Sequence, residues 1–265
     1  MFVKGKCIVV LSLQHCNSII SCACNCKSLA LFHITNHITT ILNTIYATYD
    51  NRYLPEWGGE AVASHPKMEL IIGDAHKYIM ETSETFDVII MDISDPIEAG
   101  PGIALYTKEF YQRASQVLTP HSGVFVTQAG SAEYIPHYEE EVNISCFSPI
   151  RNTLASVFDH AIPYTVSIAS FGEDWGFVMA FNGSNENARQ LVEMTSEKVD
   201  GLIDERIEAV EGVPEHPRFE NDGDSVLKVY DGETHRGLFS LSKPLRKAIA
   251  KDKRIMTTAN PIFMY

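Results

Sequence analysis

Residues 86–96 read FDVIIMDISDP, and how this stretch is read decides the fold. Four apolar residues, 88–91, run without a polar break into Asp92, then Asp95 and a proline. A short continuous apolar run bounded by turn residues fits a strand buried on both faces, as in a parallel sheet covered by helices. The flanking sequence repeats the pattern. MELIIGDA (68–75) precedes it as a second such strand, and SGVFVTQAG (122–130) follows as a third. Between them, HKYIMET (76–82) and TKEFYQRASQVL (107–118) have helical spacing, the latter with Thr107 as N-cap. SPIRNTLASVFDHA (148–161) predicts another helix, and IPYTVSIA and WGFVMAFN predict an antiparallel hairpin across SFGED (170–174). Strand–helix alternation ending in a hairpin predicts an α/β protein with a doubly wound, mostly parallel sheet. One amphipathic helix is expected over 187–207 and a Pro-, Gly- and acid-rich loop over 211–225. The tail from 226 is expected to hold a short strand, a helix near 244–250 and an extended end.

Composition narrows the function. The 265 residues carry a formal charge of −13, which disfavours a nucleic-acid binder because phosphates demand Lys and Arg. Residues 1–49 hold no Asp or Glu, three Lys (Lys4, Lys6, Lys27) and five of the six Cys. That break predicts two stretches: an atypical segment 1–49, and a domain 50–265 that is incomplete at its start. Cysteines crowded at one end do not form a secreted disulfide framework, so a reduced, cytoplasmic setting is expected. Cys22, Cys24 and Cys26 could hold a soft metal, but their spacing is not that of a common zinc motif, and no metal is expected. The apolar run 28–49 is interrupted by His33, Asn36, His37 and Asn43, so no membrane span is expected.

In open α/β sheets, ligands bind outside the carboxyl ends of the strands. Three of the expected strands end in polar groups: Asp74; Asp92 with Asp95; and Gln128. An Asp before Pro is commonly a turn or cap residue. Two acids bracketing Ile93-Ser94, joined by Asp74 and Gln128 on one rim, point instead to a site for a cation.

The run FDVIIMDISDPIEAGPGIALYTKEFY (86–111) resembles the central motif of the spermidine synthase family of aminopropyltransferases, most closely its thermospermine-forming members. YLPEW (53–57), GDA (73–75), FVTQAG (125–130), SFGEDWGFVMA (170–180) and YDGETHRGLFSLSKPLRKAI (230–249) extend the resemblance over roughly residues 52–265. It implies a Rossmann-like, methyltransferase-type sheet. It also implies transfer of an aminopropyl group from decarboxylated S-adenosylmethionine to a polyamine such as spermidine, with no tightly bound cofactor. By this resemblance Asp92 is the catalytic carboxylate. Asp95, Gln128, Tyr106, Trp175 and Glu98 would line the polyamine site, and Asp74 with Ala75 would contact the donor's adenine. Glu173 and Asp174 are further candidates for an acidic lining.

The chemistry suits these residue types. An alkyl amine resembles Lys, with a pKa near 10.4, and freeing it at pH 7 costs about 4–5 kcal/mol at 1.36 kcal/mol per unit. A carboxylate at the site can orient the amine and take its proton. The sulfonium donor brings its own leaving group, so positioning can supply much of the rate.

One departure stands out. The family carries a glycine-rich loop after its first strand and an acid after its second. Residues 1–49 contain only Gly5 and no acid, and the family's amino-terminal hairpin domain has no counterpart in the sequence. Weak or absent donor binding is therefore expected, as is a homo-oligomer were the amino-terminal half intact. Two other functions compete with the transferase: an inactive remnant that binds polyamine or a full-length partner, and an S-adenosylmethionine methyltransferase. The paired acids weigh against the methyltransferase.

Overall fold

The computed structural model describes residues 6–11, 37–42, 68–98, 100, 102–135, 145–208 and 229–264. Seven strands form one sheet in the order β3-β2-β1-β4-β5-β7-β6. They are β1 (Lys6–Leu11), β2 (His37–Leu42), β3 (Met68–Ile72), β4 (Val88–Asp92), β5 (Val124–Ser131), β6 (His160–Ile168) and β7 (Glu173–Phe181). β1 to β5 run parallel, and β7 pairs antiparallel with both β5 and β6. The α/β class, the three parallel strands read from sequence and the late hairpin are all present.

β4 lies at the centre, flanked by β1 and β5, which explains its unbroken apolar run: Val88, Ile89 and Met91 are each no more than 1% exposed. At its start, Asp87 accepts from the backbone N–H of Lys6 (2.7 Å) and from the Thr119 hydroxyl (2.8 Å), tying three segments together at the edge opposite the site. The parallel strands therefore end on a common rim, with Leu11 of β1 in register with Asp92.

The break in composition near residue 50 is not a boundary in the sheet. β1 and β2 both precede it, and Cys7, Ile8 and Val10 are buried, the latter two in the main core. The run KCIVVL (6–11) thus supplies a strand next to β4. A strand needs only apolar or β-branched residues, so a segment without acids meets the requirement. Cys16, Cys22, Cys24 and Cys26 lie outside the described residues.

The helices are α1 (Ala75–Glu81), α2 (Lys108–Val117), α3 (Phe147–Ala155), α4 (Asn185–Glu193), α5 (Ser196–Glu208), α6 (Gly232–Leu238) and α7 (Lys243–Lys251). Thr107 caps α2 as expected, its hydroxyl accepting from the Phe110 N–H. The single helix expected over 187–207 is instead two. Thr195 Oγ1 accepts from the Lys198 N–H, so a fresh N-terminus interrupts the amphipathic pattern. α3 stops at Ala155, short of the expected 161, and His160 and Ala161 already belong to β6. The loop expected over 211–225 and the first residues of the tail, 226–228, lie outside the described residues, and no strand occurs among the described residues 229–264. Within that stretch, Asp231 caps α6, a helix the sequence reading left out. Among the described residues no helix is long and apolar enough to cross a membrane, and no group of three His, Cys, Asp or Glu could hold a metal ion.

Candidate active site

The polar ends of β4 and β5 meet on the rim. Asp92 is the last residue of β4 and is 4% exposed, with Oδ2 buried and without a hydrogen-bond partner. Burial, reinforced by the nearby charge of Asp95, raises its pKa from 3.8 to about 8. At neutral pH, Asp92 is therefore mostly protonated. An unpartnered buried carboxyl oxygen at a strand end is a group held ready for a proton or a donor from outside the protein.

Asp95 is half-buried, and its Oδ1 accepts from Gln128 Nε2 at 3.1 Å. Gln128, on β5 and 1% exposed, is the hub of the rim. Its Nε2 also donates to the Ile93 carbonyl (2.7 Å) and to the Tyr106 hydroxyl (2.6 Å). Its Oε1 accepts from Trp175 Nε1 (3.0 Å) and from the Gly130 N–H (2.8 Å). Tyr106, wholly buried at the end of the 3-10 turn Ile103–Tyr106, donates to the Ser94 carbonyl at 3.1 Å. Burial, together with Asp95 and other nearby acidic groups, raises its phenol well above the usual range.

These contacts bear on two of the expected site residues. The resemblance puts Gln128 and Tyr106 against a polyamine, yet their polar atoms are committed to internal partners. An amide with both ends bonded inside the protein orients its neighbours, and here those neighbours are Asp95 and the loop that follows Asp92. Trp175, 7% exposed on β7, also spends its N–H on Gln128, and its ring packs against Phe171 with centroids 4.7 Å apart.

The remaining candidates sit further out. Glu98 is exposed on the turn after Asp95. Asp74 is exposed beyond β3, where Oδ1 caps α1 by accepting from the Lys77 N–H at 3.1 Å, and Ala75 begins that helix. Two strands separate β3 from β4, so this pair occupies the same rim at a distance from Asp92. Glu173, at the start of β7, accepts a short hydrogen bond from Ser131 at the end of β5. That places a further carboxylate against the end of β5, whereas Asp174 is exposed.

The sequence reading missed two site residues. Gly130 adopts φ +76° where the β5–β7 register shifts, a conformation suited to glycine. Met264, from the far end of the chain, is 5% exposed and packs against it. A glycine at a strand end is a faint signal for Gly130; no local pattern could have revealed Met264.

The arrangement can hold a cation between carboxylates and accept a proton at Asp92. Comparison with known proteins points the same way. The family model described as spermine/spermidine synthase domain matches residues 48–190. A polyamine aminopropyltransferase of Sulfurisphaera tokodaii is 31% identical over 229 residues, covering 86% of this chain and 65% of that protein. One from Aeropyrum pernix is 34% identical over 214 residues, 80% of this chain and 59% of its own length. A thermospermine synthase of Arabidopsis thaliana is 42% identical over 114 residues, 43% of this chain and 32% of that protein. The chain thus spans about 65% or less of the length of these curated relatives. Among solved structures, a spermidine synthase in complex with the transition state analogue AdoDATO superposes with a TM-score of 0.64 at 19% identity, covering 93% of this chain and 69% of that one. The spermidine synthase of Thermotoga maritima gives 0.60 at 19% identity, covering 93% and 68%. At that identity the two structures establish the fold.

Proposed function

Because the chain belongs to the spermine/spermidine synthase family, we propose that its acidic rim is the acceptor site of an aminopropyltransferase of polyamine biosynthesis. The donor is decarboxylated S-adenosylmethionine and the acceptor a polyamine, with spermidine giving thermospermine or a related tetraamine. The observation that carries this reading is the pair Asp92 and Asp95: one buried with an unpartnered oxygen and a raised pKa, the other fixed by Gln128.

In the reaction, the acceptor nitrogen's lone pair attacks the aminopropyl carbon bonded to sulfur. The new C–N bond forms as the C–S bond breaks, and its electron pair neutralises the sulfonium, releasing methylthioadenosine. The nitrogen must attack as the free amine, and the ionised fraction of Asp92, which grows as pH rises toward 8, is placed to take the proton the ammonium gives up. Asp95 holds the cationic polyamine by a charge-assisted hydrogen bond, and Glu173 and Glu98 extend the acidic lining. Trp175 offers an apolar face to the methylene stem. The cytoplasm is the proposed setting, and self-association the proposed assembly.

A second reading rests on a specific observation. No glycine follows β1 until Gly58, and no acid follows β2 until Asp50, although both strands are in place. A backbone without glycine at the first strand end is poorly suited to close approach by a nucleotide. A chain that keeps the polyamine rim without donor binding would sequester polyamine or pair with a complete partner. Calorimetry with decarboxylated S-adenosylmethionine and with spermidine separates the readings. Binding of both supports the transferase, binding of spermidine alone supports the remnant, and binding of neither removes both.

A further inference from the structure

The loop after Asp92 is held residue by residue. Gln128 holds the Ile93 carbonyl and the Asp95 side chain, and Tyr106 holds the Ser94 carbonyl. The Asp95 carbonyl accepts from the Ile97 N–H at 2.8 Å, and the Pro96 carbonyl accepts from the Met264 N–H at 2.9 Å. This last hold comes from a segment remote in sequence. The segment is itself anchored along its length. The Asp252 carbonyl accepts from Asn152 on α3, and the Met256 N–H donates to Thr153 Oγ1 at 2.9 Å. The Met256 carbonyl accepts from the Lys108 N–H, and the Thr258 N–H donates to Glu109 at 3.1 Å, both on α2.

The contact at its end is close. A Cβ added to Gly130 would lie 3.1 Å from Met264 Sδ and 3.5 Å from Asp95 Oδ1. The thioether and the carboxylate therefore approach the same glycine face, which is open only because Gly130 has no side chain. Met264 thus belongs to the hydrophobic core and, through its backbone N–H, also holds the acidic loop. Residues 257–264 also lie outside the span matched by the family model.

We propose that residues 257–264 form a positioning element of the acceptor site, in which Met264, seated on Gly130 and bonded to Pro96, fixes the loop carrying Asp95. This rests on the reading of the rim as a polyamine site. Gln128 sets Asp95 through its amide, and Met264 sets the loop through the Pro96 carbonyl and its seat on Gly130. A thioether is apt for the seat because it fills an irregular gap while adding no competing hydrogen-bond donor beside the carboxylate.

The test uses the full chain with Met264→Ala and Met264→Leu. Two readouts are taken: spermidine affinity by calorimetry, and the titration of Asp92 followed by NMR of 13C-labelled aspartate. Asp95 and Tyr106 are the titratable groups that report on Asp92 from the loop and the 3-10 turn. Met264→Ala is expected to weaken spermidine binding about tenfold or more, since small misplacements of a binding group are costly. It should also lower the Asp92 midpoint by about half a pH unit, as water reaches Asp95 and screens its charge. Met264→Leu, which refills the seat, should restore both. Unchanged affinity with an unchanged Asp92 titration would overturn the proposal. If the unsubstituted chain binds no spermidine, the polyamine reading fails. The positioning element is then judged on the Asp92 titration alone: a fall supports it and no change overturns it. Should Met264→Ala not fold, Met264→Val, which shortens the side chain without emptying the seat, is measured in the same way.

Discussion

Substituting Asp92 by Asn should make the protein's stability less dependent on pH, by an amount fixed by how deeply this carboxyl is buried. Its pKa rises from 3.8 to about 8 on folding, through burial first and the Asp95 charge second. Between those two values the folded protein binds more protons at this site than the unfolded chain does. Stability therefore falls as pH rises through the window, with a slope of about 1.36 kcal/mol per pH unit for one group. Well below pH 3.8 the carboxyl is neutral in both states and contributes no pH dependence. At pH 7, about three units into the window, the accumulated cost is on the order of 4 kcal/mol. An asparagine amide carries no charge at any pH, so Asp92→Asn removes this cost and leaves only a constant offset for the amide itself. Urea unfolding followed by tryptophan fluorescence, at intervals from pH 4 to pH 9, measures both proteins. The stability difference, variant minus parent, should climb steadily to about pH 8 and then level off. Parallel curves would refute the argument, because they would mean that Asp92 ionises near its ordinary value in the fold. A climb that stops near pH 6 would mean that water reaches Oδ2.

Other substitutions test the remaining parts of the site. Asp95→Asn removes the second cause of the raised Asp92 pKa, so the Asp92 midpoint should fall in an NMR titration; in a transferase assay it should mainly raise the polyamine KM. Gln128→Leu leaves the Trp175 N–H and the Tyr106 hydroxyl short of a partner in a dry setting, and should cost about 2–4 kcal/mol in urea unfolding; a loss below about 0.5 kcal/mol would remove the hub from the account. Gly130→Ala should destabilise more than Gly172→Ala. Both positions have positive φ, but only at Gly130 would the new Cβ crowd neighbouring atoms, with open space around Gly172. If the chain is an active transferase and Asp92 its base, kcat/KM should rise with pH up to about 8, the value for the free protein, and Asp92→Asn should abolish that limb.

The sequence by itself determined the parts of this protein that depend on local period and end signals. The apolar run 88–91 reads as a strand buried on both faces, and β4 is central. Thr107 had to be spent on a helix N-terminus, and it caps α2. Asp92 and Asp95 were legible as rim acids because they end such a strand. Other features were outside its reach. β1 and β2 carry no charge pattern to mark them, and only pairing with β4 and β3 reveals them as strands of the same sheet. The internal partners of Gln128 and Tyr106 were not legible, because a side chain's hydrogen-bond partners are set by what packs around it, and here they include each other and the loop. Met264 could not be found from sequence, since nothing local ties it to Asp95. The raised pKa of Asp92 likewise comes from desolvation by neighbours drawn from several strands and loops. Residue types and spacing specify which groups can do chemistry; the packed tertiary structure decides which of them are held, which are dry and which are free to act.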